Sequence, residues 1–252
     1  MTIIYIFAKG KSGAGDGFEL RHSLRSIAMY GTGVDRVAVV GYCPAWLSDA
    51  VVQLPYFDGM PFGNGNSMGG KALNMMANCV YAVNHLDGDE FLVSMDDHFY
   101  LKPTDFENYP YFVRDRVDRP WRHELPKDEW SNTYNAVLSA TRAMLERKGL
   151  PVMNFAIHRN MHVRRDIVDE CRDEIARILR RELPAVEPFA WWNNILLGRG
   201  EIEPVIVEDN KPLRLADFNP AWDVFSTPDF QHGTNFARLL EGLYPEKSLF
   251  EK

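Results

Sequence analysis

The sequence predicts an α/β fold, a sheet flanked by helices within a single domain, and three observations carry that prediction. A β-branched and aromatic run, Ile3 to Ala8, opens the chain and stops in the turn-rich stretch 9–17. Leu20, Leu24, Ile27 and Ala28 then recur at helical spacing, with Gly31 as the stop. A second apolar run, Val37-Ala38-Val39-Val40, follows at once. Strand, helix, strand is a βαβ unit, and such units are right-handed and parallel.

The remaining elements follow from the same periodicities. Val51 to Leu54 reads as a third strand, and residues 58–70 hold five glycines, two asparagines and a proline. Loops of that length inside a compact domain are usually functional. Lys71 to His85 reads as a helix with Leu73, Met76, Val80 and Val83 on one stripe, and Glu90 to Tyr100 as one continuous strand. Residues 103–130 show no period. Helices are expected over 132–147 and 165–182, with Pro184 to Leu197 carrying Trp191-Trp192-Asn193-Asn194. Val205 to Val207 is the last strand, and a short helix is expected over 235–243.

Composition bounds the function. The chain has 252 residues, 46% hydrophobic and 25% charged, enough apolar content to bury a large core and far from the signature of disorder. Its net charge of −7 repels polyanions, so DNA as a partner is disfavoured by charge. Cys43, Cys79 and Cys171 are odd in number and widely spaced, which suggests neither a disulfide framework nor a thiolate zinc site. The opening apolar run is too short to span a membrane and lacks a signal-peptide pattern. A cytoplasmic setting with no membrane span is the expectation.

The chemistry concentrates at Asp96-Asp97-His98, three polar residues within an otherwise apolar strand. Burying acids without partners or a metal costs free energy. On a continuous strand, residues 94, 96 and 98 share a face, so Asp96 and His98 would point together at one cation. A carboxylate with an imidazole suits Mn²⁺ or Mg²⁺ carrying a diphosphate. Asp97, on the other face, is a catalytic candidate, and Lys71 follows the glycine-rich loop as a phosphate-binding candidate.

The order of first strand, loop, helix, second strand, long loop, helix and acidic strand resembles nucleotide-sugar transferases of the GT-A type. Four segments taken together resemble the Stealth family of sugar-phosphate transferases: Phe18-Glu19-Leu20-Arg21-His22-Ser23-Leu24-Arg25-Ser26-Ile27, Cys43-Pro44-Ala45-Trp46-Leu47, Phe91 to Tyr100, and Leu243 to Glu251. His22 stands where the family pattern has tyrosine, and Met95 where it has asparagine. The resemblance implies a GT-A-like, Rossmann-type mixed sheet. Residues 1–102 would form the nucleotide-sugar-binding Rossmann-like half, and residues 103–252 the acceptor-side half of the same domain.

The resemblance also implies roles. Arg21 and Arg25, four apart on one helix face, would contact donor phosphates with Lys71 and Asp96, as paired guanidinium forks can. His158 lies where the family carries a histidine and would serve as acid, base or phosphate contact, with His162 as its competitor. Trp191 and Trp192 would stack on the acceptor. If the enzyme is instead an ordinary inverting glycosyltransferase, Glu187 or Asp223 would supply the carboxylate that deprotonates the acceptor hydroxyl. The implied activity is transfer of a glycosyl or glycosyl-1-phosphate group from a nucleotide sugar to a saccharide or other hydroxyl acceptor. Two alternatives stand beside it: a phage-type glycosyltransferase acting on hydroxymethylated bases in DNA, and a catalytically inactive sugar- or nucleotide-binding module.

Overall fold

A computed structural model describes residues 1–9, 17–63, 68–117, 134–227 and 234–252. The glycine-rich tracts 10–16 and 64–67, and residues 118–130 of the aperiodic stretch 103–130, are expectations that lie outside the described residues.

The central sheet has five strands. The first, β1 (Thr2–Phe7), is followed by helix α1 (Phe18–Tyr30), the two-residue β2 (Gly31–Thr32), β3 (Arg36–Gly41) and β4 (Val51–Pro55). Helix α2 (Met68–His85) leads to β5 (Glu90–Ser94), β6 (His98–Tyr100), β7 (Thr104–Asp105) and β8 (Phe112–Val113). Helix α3 (Tyr134–Arg147), β9 (Met161–Arg164), and helices α4 (Arg165–Glu170), α5 (Arg172–Leu179) and α6 (Pro188–Gly198) come next. The chain continues through β10 (Val205–Ile206), β11 (Val224–Ser226) and α7 (Asn235–Leu243). The sheet order is β4-β3-β1-β5-β9, parallel throughout except for β9, which runs antiparallel to β5. The mixed α/β single-domain expectation therefore holds.

Strand alternation divides the core into two layers. Ile3, Tyr5, Val37, Val39 and Leu92 pack with Leu20, Leu24 and Ile27 of α1. Ile4, Ala38, Val40, Phe91 and Val93 pack on the other face with Met76, Cys79 and Val83 of α2 and with α6. The register Ile3↔Val37 and Ile3↔Leu92 keeps each face continuous across the three central strands. α1 covers one face and α2 the other, so the connections leaving β1 and entering β5 lie on opposite sides of the sheet. The gap between the carboxyl ends of β1 and β5 is thus a topological switch point, where open α/β sheets bind ligands.

Two expected elements are divided. The strand over 90–100 is two strands: β5 ends at Ser94, residues 95–97 turn, and β6 leaves the main sheet to pair antiparallel with β11. Asp96 and Asp97 cannot continue an apolar core strand without partners, and the turn carries them out, closed by the His98 amide donating to the Met95 carbonyl (3.3 Å). The helix expected over 165–182 breaks at Cys171 into α4 and α5. All three cysteines are free. Among the described residues, no helix is long and apolar enough to cross a membrane.

The carboxyl end of β1 is crowded. Gly41 (φ 104°) and Gly59 (φ 80°) lie in a backbone region that other residues rarely adopt, and a Cβ on either would fall within 2.4 Å of the Phe7 carbonyl oxygen. Gly41→Ala combines positive φ with a Cβ clash, and is expected to lower unfolding stability by about 1–3 kcal/mol in a urea titration.

Candidate functional site

The site begins with the turn at the end of β5. Asp97 Oδ2 accepts hydrogen bonds from Ser226 Oγ of β11 (2.6 Å) and from Lys211 Nζ (3.3 Å). Its other oxygen, Oδ1, lies 3.9 Å from His98 Nε2. Burial alone would push the Asp97 carboxyl up, but His98, Lys211 and the Ser226 hydroxyl outweigh it and hold the group below its ordinary value, so Asp97 is ionised.

His98 is fully buried, and burial lowers its pKa to about 4 against the opposing pull of Asp97. The ring is therefore neutral at pH 7. Its Nδ1 accepts from the Met95 amide (3.4 Å), which places the ring proton on Nε2, a buried atom with no hydrogen-bond partner among the described residues. Two serines of α1 fix this segment from below. Ser23 Oγ donates to the His98 carbonyl (2.5 Å) and meets the Tyr5 hydroxyl (2.8 Å), while Ser26 Oγ accepts from the Tyr100 amide (3.1 Å).

A second limb closes on the turn from the segment after β10. Asp209 Oδ1 accepts from the His158 amide (3.0 Å), and its Oδ2 lies 3.3 Å from His158 Nδ1 and 3.5 Å from Arg114. Burial raises the Asp209 carboxyl, and His158 and Arg114 outweigh that to keep it below its usual range. His158 Nε2 in turn lies 3.3 Å from Lys211 Nζ, and the His98 and His158 rings meet edge-on at 6.5 Å. Asp209, His158, Lys211, Asp97 and Ser226 thus form one continuous polar chain across the mouth of the switch point.

Of the residues expected from sequence, the structure brings together Asp96, Asp97, His98 and His158. The others lie elsewhere. Arg25 grips Glu251 with Nε (2.8 Å) and Nη2 (2.9 Å) and the Tyr244 carbonyl with Nη1 (3.1 Å), so its fork holds the C-terminal segment. Arg21 lies over Trp46 at 4.4 Å, half exposed at the rim. Lys71 is exposed on α2. Trp191 and Trp192 are 0% and 1% exposed in the core under α2, so neither presents a face for an acceptor. His162 is committed to Glu90 (2.7 Å) and to the Tyr109 carbonyl (2.9 Å). Asp223 is held by both Nη atoms of Arg159 (2.7 and 3.1 Å).

Glu187 is buried and caps α6, accepting from the Ala190 amide (2.5 Å), and burial pushes its carboxyl up to about 8. Its place is a helix cap in the core.

The expected pairing of Asp96 with His98 on one strand face is not realised, because the turn at 95–97 breaks the alternation. His98 does not fit a metal ligand: its Nε2 carries the proton. Asp96, half-buried at the tip of the turn, does fit one, since a small hard cation is held by one or two carboxylates plus substrate phosphates. Among the described residues, no three histidine, cysteine or acidic groups converge as a metal site.

Sequence reasoning missed Lys211, Asp209 and Ser226. The available signal was Glu208-Asp209-Asn210-Lys211 directly after the apolar run 205–207, the same pattern of polar residues at a strand end that singles out Asp96-Asp97-His98. The chain matches no protein-family model and no curated protein.

A neutral Glu187 in the fold and an ionised one in the unfolded chain make the folded state bind the extra proton between the ordinary carboxylate value and about 8. Stability contributed by this group is therefore present below its unfolded value and lost as pH rises toward 8. Glu187→Gln is expected to flatten that decline and to melt higher than the parent at pH 8, read by calorimetry across pH 5–8.

Proposed function

We propose that this chain is a nucleotide-sugar-dependent transferase, moving a glycosyl or glycosyl-1-phosphate group to the hydroxyl of a saccharide or other acceptor. The observation that carries this reading is the Asp96-Asp97 turn at the switch point, flanked by a lysine and by a histidine that a second carboxylate orients. Crevices at such points accommodate nucleotides, and acidic residues there match the requirements of a cation-escorted diphosphate. The four segments resembling the Stealth family support the donor class.

In this reading His158 is the general base. Asp209 Oδ2 lies 3.3 Å from its Nδ1, and Lys211 Nζ lies 3.3 Å from its Nε2. The acceptor hydroxyl gives its proton to Nε2 as the acceptor oxygen bonds to the anomeric carbon, or to the sugar-bearing phosphorus in the phosphate-transfer variant. The bond to the leaving phosphate oxygen breaks, and its electron pair departs with the nucleotide. Mn²⁺ or Mg²⁺, held through Asp96, would neutralise charge on that leaving group when bound. Asp97 keeps Lys211 and the β11 end in place.

The test is a thermal-shift panel of nucleoside-diphosphate sugars with and without Mn²⁺, followed by turnover assays. A true donor at 100 times its Kd stabilises by about 2.7 kcal/mol, and no stabilisation by any donor rejects the reading. His158→Gln is expected to lower kcat by about 10²–10⁴-fold with donor affinity unchanged, and an unaltered kcat removes His158 from the role of base.

A further inference from the structure

The run Ile3-Ile4-Tyr5-Ile6-Phe7 is apolar except for one hydroxyl. Tyr5 is fully buried in the layer under α1, among Ile3, Leu24, Val39 and Leu92, where a phenylalanine ring would fill the same space. A phenol oxygen in such surroundings needs hydrogen-bond partners. It has them in Ser23 Oγ (2.8 Å) and in the hydroxyl of Ser94, its register partner on β5.

Each hydroxyl has one hydrogen to give. The Ser23 hydroxyl gives its own to the His98 carbonyl (2.5 Å), and the Ser94 hydroxyl gives its own to the Met95 carbonyl (3.2 Å). Tyr5 is therefore the donor toward Ser23. Burial raises the phenol above its ordinary value against the pull of Ser23 and Ser94, so it keeps that proton at neutral pH. Met95 and His98 are the two ends of the acidic turn, which the His98 amide closes on the Met95 carbonyl (3.3 Å). One buried hydroxyl thus backs both ends, and Asp96, between them, is near enough for its charge to act on the phenol.

We propose that Tyr5 is a positioning residue of the site: its hydroxyl, through Ser23 and Ser94, sets the turn so that the Asp96 carboxylate is held for the cation that accompanies the donor's diphosphate. This rests on the transferase reading above and adds to it a residue in the middle of β1 that touches neither donor nor acceptor. Support of this kind matters to a cation site, where loss of a partner behind the ligands typically lowers metal affinity or activity by about 10- to 100-fold. Tyr5→Phe removes one oxygen and keeps the packing of the ring. Ser94→Ala removes the limb on the Met95 side.

The experiment applies two readouts to the full chain and to its Tyr5→Phe and Ser94→Ala variants. The first is amide hydrogen exchange followed by NMR. The amides of His98 and Tyr100 are expected to exchange about 2- to 10-fold faster in each variant relative to those of β3, because the turn opens locally while the sheet stays closed. The second is calorimetric titration with UDP, GDP, ADP and dTDP, each in EDTA and in Mn²⁺. The nucleotide that binds the parent is expected to bind each variant about 10-fold more weakly in Mn²⁺, with its affinity in EDTA unchanged. Parent-like exchange at His98 and Tyr100 relative to β3 in both variants overturns the network. Faster exchange with unchanged binding in Mn²⁺, or equal weakening in Mn²⁺ and EDTA, overturns the positioning role and leaves the transferase reading intact. Failure of every nucleotide to bind the parent overturns the transferase reading, and the positioning role with it.

Discussion

Two serine hydroxyls on α1 decide where the chemistry sits. Ser23 takes the His98 carbonyl and Ser26 takes the Tyr100 amide, tying β6 to the helix instead of to the main sheet. Without those bonds the polar edge of β6 would be buried against α1 with unmet backbone groups, a cost of about 1–3 kcal/mol for each. With them the chain can leave β5 at Ser94, turn through Met95-Asp96-Asp97, and run back along β11. Everything that faces the crevice depends on that exit: Asp97 meets Ser226 because β6 pairs with β11, and Lys211 reaches Asp97 because Asn210 is bonded to the same strand.

The same helix spends Glu19, Ser23, Arg25 and Ser26 on holding neighbouring segments. Glu19 accepts from Thr227 beside β11, Ser23 and Ser26 hold β6, and Arg25 clamps Glu251. The C-terminal segment answers from the other side, with the Ser248 amide on Glu251 (3.0 Å), the Phe250 carbonyl accepting from Ser48 (2.9 Å) and the Tyr244 hydroxyl on the Tyr100 carbonyl (2.6 Å). Sequence patterns far apart at positions 19–26 and 245–251 are thus two halves of one structural lock around the acidic turn.

What was legible in the sequence was what depends on local period. Ile3, Tyr5 and Phe7 against Ile4 announce a strand with two buried faces, and the βαβ order places the switch point. The acidic turn was legible as a site because carboxylates in an apolar run demand a reason. Its geometry was not, because strand alternation holds only while the strand continues, and the turn ends it. Arg25 could not be assigned correctly from its own neighbourhood, since its partner lies 226 residues away. Lys211 lies 114 residues from Asp97, a contact that only the packing of β11 against β6 creates. Tryptophans in an aromatic-rich segment read as ligand platform or as core, and packing with both α2 and the sheet makes them core.

The net charge of −7 says little about this crevice, where Asp97 faces Lys211 and Asp209 faces Arg114. The Asp97–Lys211 and Asp209–Arg114 pairs offset part of the acidic charge of the crevice. The most direct measurement is a crystal structure of the chain with a bound nucleoside-diphosphate sugar. The diphosphate is expected at the carboxyl ends of β1 and β5, beside the Asp96-Asp97 turn. A donor seated away from the Asp96-Asp97 turn would contradict it.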